Sequence, residues 1–329
     1  MYWTDKKVLV TGAGGFIGSH LVEKLVALDS DVRAFVRYNS RNDYGLIEVL
    51  PEDIQSEITI VVGDLRDSDS VNNAVKGVDI VLHLGASISI PYSYVSPNSY
   101  VATNIVGTMN VLNAVKEYSV QKMVHTSSSE VYGTALYVPI DEEHPLQAQS
   151  PYSASKIGAD KLAESYHLSY GLPVTTVRPF NTYGPRQSSR AVIPTIITQA
   201  LTRDEVHLGA TTPTRDFSYV EDTASAFIKA AESPESVGQV MNFGSGKEIA
   251  IGDLASKIIT LVGRDVRIMS DEDRIRPEKS EVNRLLADAT KARELIGWEP
   301  QFSLTDGLRN VIYWISEHLD RYKTNVYNI

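Results

Sequence analysis

Lys7-Val-Leu-Val-Thr11-Gly12-Ala-Gly14-Gly15-Phe16-Ile17-Gly18 is the stretch whose reading decides the fold. A short apolar run passes straight into a glycine turn, and leucines then recur at helical spacing at Leu21, Leu25 and Leu28. Strand, glycine turn and helix in that order is the setting a dinucleotide fingerprint requires. The spacing is Gly12-x-x-Gly15-x-x-Gly18 rather than Gly-x-Gly-x-x-Gly. The physics is shared: glycines admit positive φ and close approach of backbone, and a helix N-terminus faces a diphosphate. Gly12, Gly15, Phe16, Ile17 and Gly18 are therefore the expected cofactor cradle, against the plainer account of a tight structural turn.

Outward from that turn, strand and helix signals alternate. Asp31-Val-Arg-Ala-Phe-Val36 reads as a second strand, ending in Arg37-Tyr-Asn39-Ser40-Arg41. No acid stands there for a ribose diol. Arg37, Asn39, Ser40 and Arg41 suit a 2′-phosphate, which favours NADP slightly over NAD; a solvated basic loop is the competing account. A third strand ends at Gly63-Asp64-Leu65, where Asp64 either accepts from an adenine amino group or caps a helix. A fourth, Val78 to Leu84, exits through Gly85-Ala86-Ser87, small enough for a ribose to lie close to backbone beside Leu84 and Ala86. His83, inside that apolar strand, reads as a satisfied core residue. A long helix is expected over Tyr100–Tyr118, then strands at Lys122–Thr126 and Pro173–Arg178. Such alternation predicts an α/β fold with a doubly wound parallel sheet and ligands beyond the carboxyl ends of its strands.

The chemistry-bearing stretch is Ser150-Pro-Tyr152-Ser-Ala-Ser155-Lys156, opening a helix. Tyr152 and Lys156 are four residues apart and share a face. A phenol is a poor base at neutral pH, and a nearby ammonium favours its phenolate. Ser128, Ser129 and Glu130 follow the fifth strand and Asn181 follows the sixth, so all can meet in one cleft.

After Gly184 the strands become shorter and less regular. The expected organisation is a cofactor domain over 1–183 with about 217–245, and a substrate domain over 184–216 and 246–329. The 329 residues carry a formal net charge of -10, which argues against a general nucleic-acid or acidic-membrane binder. There is no cysteine, so disulfides, thiolate nucleophiles and Cys-based zinc sites drop out, and no metal site is expected. The N-terminus lacks a signal-peptide h-region and no apolar run is long enough to span a bilayer. The expectation is a cytoplasmic protein with no membrane partner.

Taken together, the glycine turn, the Ser128 region, Tyr152-x-x-x-Lys156, Arg178-Pro-x-Asn181 and Arg215-Asp-Phe occur in the order of the extended short-chain dehydrogenases/reductases. The resemblance spans about Lys7 to Leu319. Within that superfamily the chain resembles nucleotide-sugar 4,6-dehydratases, most closely the GDP-N-acetylglucosamine 4,6-dehydratases of legionaminic-acid synthesis. The stretches are Ala34-Phe-Val-Arg-Tyr-Asn-Ser40, Ser129-Glu-Val-Tyr-Gly-Thr134, Arg178 to Gln187 and Arg276-Pro-Glu-Lys-Ser-Glu-Val282.

The resemblance implies a Rossmann-type sheet, a bound and recycled NAD(P), and a homodimer formed by the Tyr100–Tyr118 helix and the helix carrying Tyr152. It implies that Tyr152 takes the proton of the sugar 4-hydroxyl, that Ser128 hydrogen-bonds that hydroxyl, and that Glu130 takes the C5 proton. Arg215 and Arg276 would hold the nucleotide diphosphate, and Asn181 the diphosphate or the sugar; Ser89 and Tyr92 are expected to line the sugar pocket from their loop position. Surface ion pairs, Arg215 with Asp216 and Arg276 near Glu278, are the competing accounts. Ser129 departs from the pattern: relatives place an aspartic acid there to protonate the leaving 6-hydroxyl. UDP-glucuronate decarboxylases also carry Ser-Glu, so decarboxylation stays open, as does 4-epimerisation. A non-catalytic NAD(P)-binding regulator is the alternative outside enzymes.

Overall fold

The computed structural model describes residues 2–323. Its main sheet takes β1 (Lys7–Thr11), β2 (Asp31–Arg37), β3 (Ile58–Gly63), β4 (Ile80–His83), β5 (Lys122–Thr126) and β6 (Val174–Pro179). The chain then leaves through β7 (Asn181–Tyr183), β8 (Glu205–Leu208) and β9 (Thr214–Tyr219) before returning as β10 (Val240–Phe243). The order is β10-β6-β5-β4-β1-β2-β3 and every pairing is parallel. The expected doubly wound Rossmann-type sheet is what forms. Its strand order reverses at β1, which pairs with both β2 and β4, so the crevice opens at the glycine turn.

Period-two alternation explains the two cores. Val8 and Val10 face one side with Leu21, Leu25 and Phe227, while Leu9 faces the other with Val81, Val111 and Met123. The smaller region pairs β7 and β11 (Glu248–Ala250) with β9, adds β13 (Arg284–Leu285), and sets β8 beside β12 (Arg267–Ser270). Its core is built by helices Val192–Thr202, Ile251–Val262 and Leu304–Glu317 through Ile196, Leu254, Ile258 and Val311.

Three sequence expectations shift. Residues up to Tyr219 lie in β9 of the smaller sheet, so the return to the main domain starts with helix Val220–Glu232. Ala292 and Trp298, placed by sequence in the substrate domain, pack into the main core instead. The helix expected over Tyr100–Tyr118 is interrupted by a π-helical turn, Val101–Val106. That wider turn carries buried Asn104, whose amide both accepts from Ser87 N (2.8 Å) and donates to Ser87 O (3.0 Å).

Candidate active site

A cavity of about 960 Å³ runs along the carboxyl ends of the strands, with the glycine turn at one end and the smaller domain at the other. Gly12 sits at φ +71°, and a Cβ there would lie 2.8 Å from Gly85 N. At Gly18 a Cβ would meet Gly12 O at 2.2 Å. Gly15 differs: a Cβ there would meet only Gly12 O, at 3.1 Å, and otherwise fill the cleft. The helix Phe16–Val26 begins at Gly15 with no side-chain cap and no acidic residue in its first turn. Its free N–H groups and positive end suit a diphosphate, so these residues fit a dinucleotide.

Phe16, Ile17, Arg37, Asn39, Arg41, Leu65, Leu84 and Ala86 all line this end. Ser40 is exposed and off the wall, and Arg41 Nη2 is engaged by Asp43 Oδ2 at 3.0 Å. Asp64 also lines it but is bound by Arg66, Nε to Oδ1 at 2.9 Å and Nη2 to Oδ2 at 2.5 Å. That pairing holds its carboxyl below the usual range; Oδ1 also accepts from Arg66 N at 2.9 Å, so it is Oδ2 that keeps a lone pair for an amino donor. The alternative role of Asp64 as a helix cap is corrected: Asp67 caps Ser68–Val75. His83 is a core residue as expected, with Nδ1 at 2.8 Å from Thr11 Oγ1 and Nε2 at 3.1 Å from Thr108 Oγ1.

Midway along the cleft stand Ser128, Ser129, Glu130, Tyr152 and Lys156. Helix Pro151–Tyr170 starts on a capping box in which Ser150 and Ser153 satisfy each other's backbone N–H. This fixes the first turn, and Tyr152 with it. Ser128 Oγ accepts from Glu130 N at 3.2 Å, which leaves the hydroxyl hydrogen for the phenol of Tyr152. The expected depression of the tyrosine pKa by Lys156 is not what the geometry gives. Lys156 Nζ donates to Thr126 O at 2.5 Å, and burial raises the phenol, with Ser128 opposing and Glu130 and Asp160 adding to the rise. Burial also lowers Lys156 to about 8. Ser129 is buried at the head of the turn Ser129–Tyr132.

At the far end Arg215 and Arg276 face the cavity together with Asn181. Neither arginine takes the ion pair its sequence neighbours suggest. Both reach Glu281 Oε1, Arg215 Nη2 at 3.2 Å and Arg276 Nη1 at 3.7 Å. Asp216 is instead held by Ser245 N, Gly246 N and Ala287 N. Asn181 Oδ1, Gln187 Oε1 and Arg276 Nη1 are buried without a hydrogen-bond partner, and all three residues line the cleft. Buried polar atoms are nearly always paired, so three orphans on one wall mark a place prepared for a polar ligand. Ser89 lines the cavity and caps Ile90–Val95, whereas Tyr92 is 46% exposed, off the wall and packed on Tyr100. Sequence reasoning missed Glu281, Gln187 and Arg190, which share this end. Glu281 lies five residues after Arg276, but its contact with Arg215 spans 66 residues and left no local signal.

Residues 9–311 match the family described as GDP-mannose 4,6 dehydratase. The chain belongs to this family. It is 32% identical to a putative UDP-glucose 4-epimerase of Methanocaldococcus jannaschii, over 94% of this chain and 99% of that protein. It is 31% identical to a dTDP-glucose 4,6-dehydratase of Streptomyces antibioticus, over 94% of this chain and 92% of that one. Among solved structures, the dTDP-glucose 4,6-dehydratase DesIV of Streptomyces venezuelae, which holds NAD, superposes with a TM-score of 0.86 at 30% identity. The match covers 96% of this chain and 99% of that one. The nucleotide-sugar dehydratase/epimerase enzymes of the extended short-chain dehydrogenase superfamily are thus the family's setting, and NAD occupies related structures. Among the described residues no helix is long and apolar enough to cross a membrane, and no metal-ligand cluster occurs.

Proposed function

We propose that the protein is a nucleotide-sugar 4,6-dehydratase working through a bound, recycled NAD(P), with GDP-N-acetylglucosamine as its substrate. The observation that carries this is the position of Glu130. It lines the same cleft as Tyr152 and Arg215, so a carboxylate shares one cavity with the proton-transfer group and the diphosphate clamp. A sugar joined to a diphosphate has to lie there. The nucleotide choice rests on the sequence resemblance, not on the cleft.

Tyr152 takes the 4-hydroxyl proton while Ser128 orients that oxygen and the Lys156 ammonium favours the phenolate. A bound nicotinamide would supply the acceptor for the hydride leaving C4 and the donor that gives it back at C6 and, while oxidised, a positive charge that also favours the phenolate. Once C4 is a ketone, the C5 proton is acidified and passes to Glu130. The hydroxyl of Ser129 is a far weaker acid than a carboxylic acid, so Glu130 returns that proton to the departing 6-hydroxyl, which leaves as water. Re-protonated from solvent, Glu130 then supplies the proton that C5 takes up as C6 is reduced. Arg215 and Arg276 bind the diphosphate through guanidinium forks, and the unpaired amide oxygens of Asn181 and Gln187 accept from hydroxyl or N–H groups of the sugar.

The test is mass spectrometry of products from GDP-N-acetylglucosamine, UDP-N-acetylglucosamine, dTDP-glucose and UDP-glucuronate, each with cofactor. Loss of one water from a hexose nucleotide supports the reading. The second reading is a 4-epimerase, favoured by Ser129 standing where an acid is expected; an isobaric product would select it. Loss of carbon dioxide from UDP-glucuronate alone would make the protein a decarboxylase.

For the cofactor, Arg37 and Asn39 at the end of β2, with no acid at that strand end, favour NADP, although related structures hold NAD. Reconstitution with each cofactor decides this, and Arg37→Ala should weaken NADP more than NAD. A homodimer through Pro151–Tyr170 and the Pro97–Glu117 helical stretch is supported by exposed Val101 and Val106. Light scattering at the column exit tests it.

A further inference from the structure

Tyr152, Lys156 and Asp160 stand at i, i+4 and i+8 on one face of helix Pro151–Tyr170, and all three are buried. The proposed chemistry uses the first two. A carboxylate this deep is costly unless every lone pair is engaged, and the engagement of Asp160 is specific. Oδ1 accepts from His125 Nε2 at 3.1 Å. Oδ2 accepts from Ser127 Oγ at 2.6 Å and from Arg178 Nη2 at 3.1 Å. His125 and Ser127 flank Thr126, whose carbonyl receives Lys156 Nζ, and Ser127 precedes Ser128. Arg178 continues the network from β6: its Nη1 donates to Tyr132 Oη at 2.9 Å, and Tyr132 donates to Asn242 Oδ1 at 2.7 Å. Tyr132 closes the same short turn that carries Glu130. One carboxylate thus fastens together the strand exit bearing Ser128, the turn bearing Glu130 and the helix bearing Tyr152 and Lys156.

We propose that Asp160 is a positioning residue, which through Ser127 and His125 sets where the Thr126 carbonyl holds the Lys156 ammonium and where Ser128 meets the Tyr152 phenol. This rests on the reading of Ser128, Tyr152 and Lys156 as a proton-transfer group. A displacement of about 1 Å in such a group costs on the order of 10²-fold in rate. A plain structural pair with Arg178 would instead cost stability and leave the rate of the folded protein unchanged.

Two variants separate these. Asp160→Asn keeps the shape and removes the charge; kcat should fall on the order of 10²-fold, with KM within a factor of about three, and Asp160→Glu should restore part of the loss. Ser127→Ala removes one bond without altering any charge and serves if Asp160→Asn does not fold. Its kcat should fall about 3–10-fold at an unchanged KM and a near-native thermal midpoint. Wild-type kcat in folded Ser127→Ala, or a change confined to KM, overturns the proposal.

A substrate-free measurement keeps this distinct from failure of the dehydratase reading. Phenolate absorbance of the NAD(P)-bound protein, minus that of Tyr152→Phe, follows the tyrosine itself. The titratable groups acting on that phenol are Glu130 from the turn after β5, Tyr100 from helix Pro97–Tyr100 and Asp160 from its own helix, with Lys156 one turn along that helix. Ser127→Ala changes none of them. Misplacement of Ser128 and Lys156 should raise the titration midpoint by about one pH unit. An unmoved midpoint refutes the positioning role even if wild-type protein turns over none of the four sugar nucleotides.

Discussion

Along the cofactor side of the cleft, the groups placed for the diphosphate are main-chain: the turn in which Gly12 and Gly18 have no room for a Cβ and the bare N-terminus of Phe16–Val26. Along the substrate side they are side chains, two arginines sharing the Glu281 carboxylate and two amides with orphaned oxygens. The first wall is rigid because its backbone is packed against backbone. The second is held by ion pairs between segments tens of residues apart, and a diphosphate can compete for the same guanidinium groups. The wall between them, carrying Ser128 and Tyr152, joins the two. The difference teaches that substitutions on the three walls should fail in different ways.

The middle wall should show the largest effect. Tyr152→Phe is expected to lower turnover about 10³-fold while fluorescence titration finds cofactor binding unchanged; substantial residual turnover would remove Tyr152 from the proton path. On the cofactor wall, Gly18→Val drives side-chain atoms into Gly12 O and Ala13. It should destabilise the fold by about 2–3 kcal/mol and weaken cofactor binding, read as a thermal midpoint that no longer rises with added NAD(P). A midpoint still raised by cofactor would mean that this backbone yields, against the contrast drawn above.

The pH profile probes Lys156. Burial lowers it to about 8, so it is an ammonium below that pH and loses its proton above. Tyr152 has to lose its own proton to act as base while burial holds its phenol up, so kcat should rise with pH, about tenfold per unit, until Lys156 deprotonates near 8, and then level off. A fall above pH 8 would show instead that the phenolate forms before the lysine titrates. The smallest effect belongs to the substrate wall. Glu281→Gln removes the carboxylate that shares Arg215 and Arg276, so KM for the nucleotide sugar should fall roughly threefold with kcat unchanged. A rise in KM would instead make Glu281 a direct ligand of the substrate.

The amino-acid sequence determined whatever depends on neighbours along the chain. Alternating apolar runs set the strands, the Gly12 to Gly18 spacing set the turn, and the Tyr152 and Lys156 spacing set one helical face. These are short-range consequences of backbone sterics and helical periodicity, so they are visible without a fold. Tertiary structure alone decided the partners. It gave Arg215 and Arg276 to Glu281 rather than to Asp216 and Glu278, and turned Tyr92 and Ser40 off the cleft wall. It also widened the helix at Asn104 and set Lys156 on a carbonyl while burial raised the phenol beside it. Each of these depends on what is brought alongside from elsewhere in the chain, and on how much water is excluded when it arrives. Neither quantity is carried by local spacing.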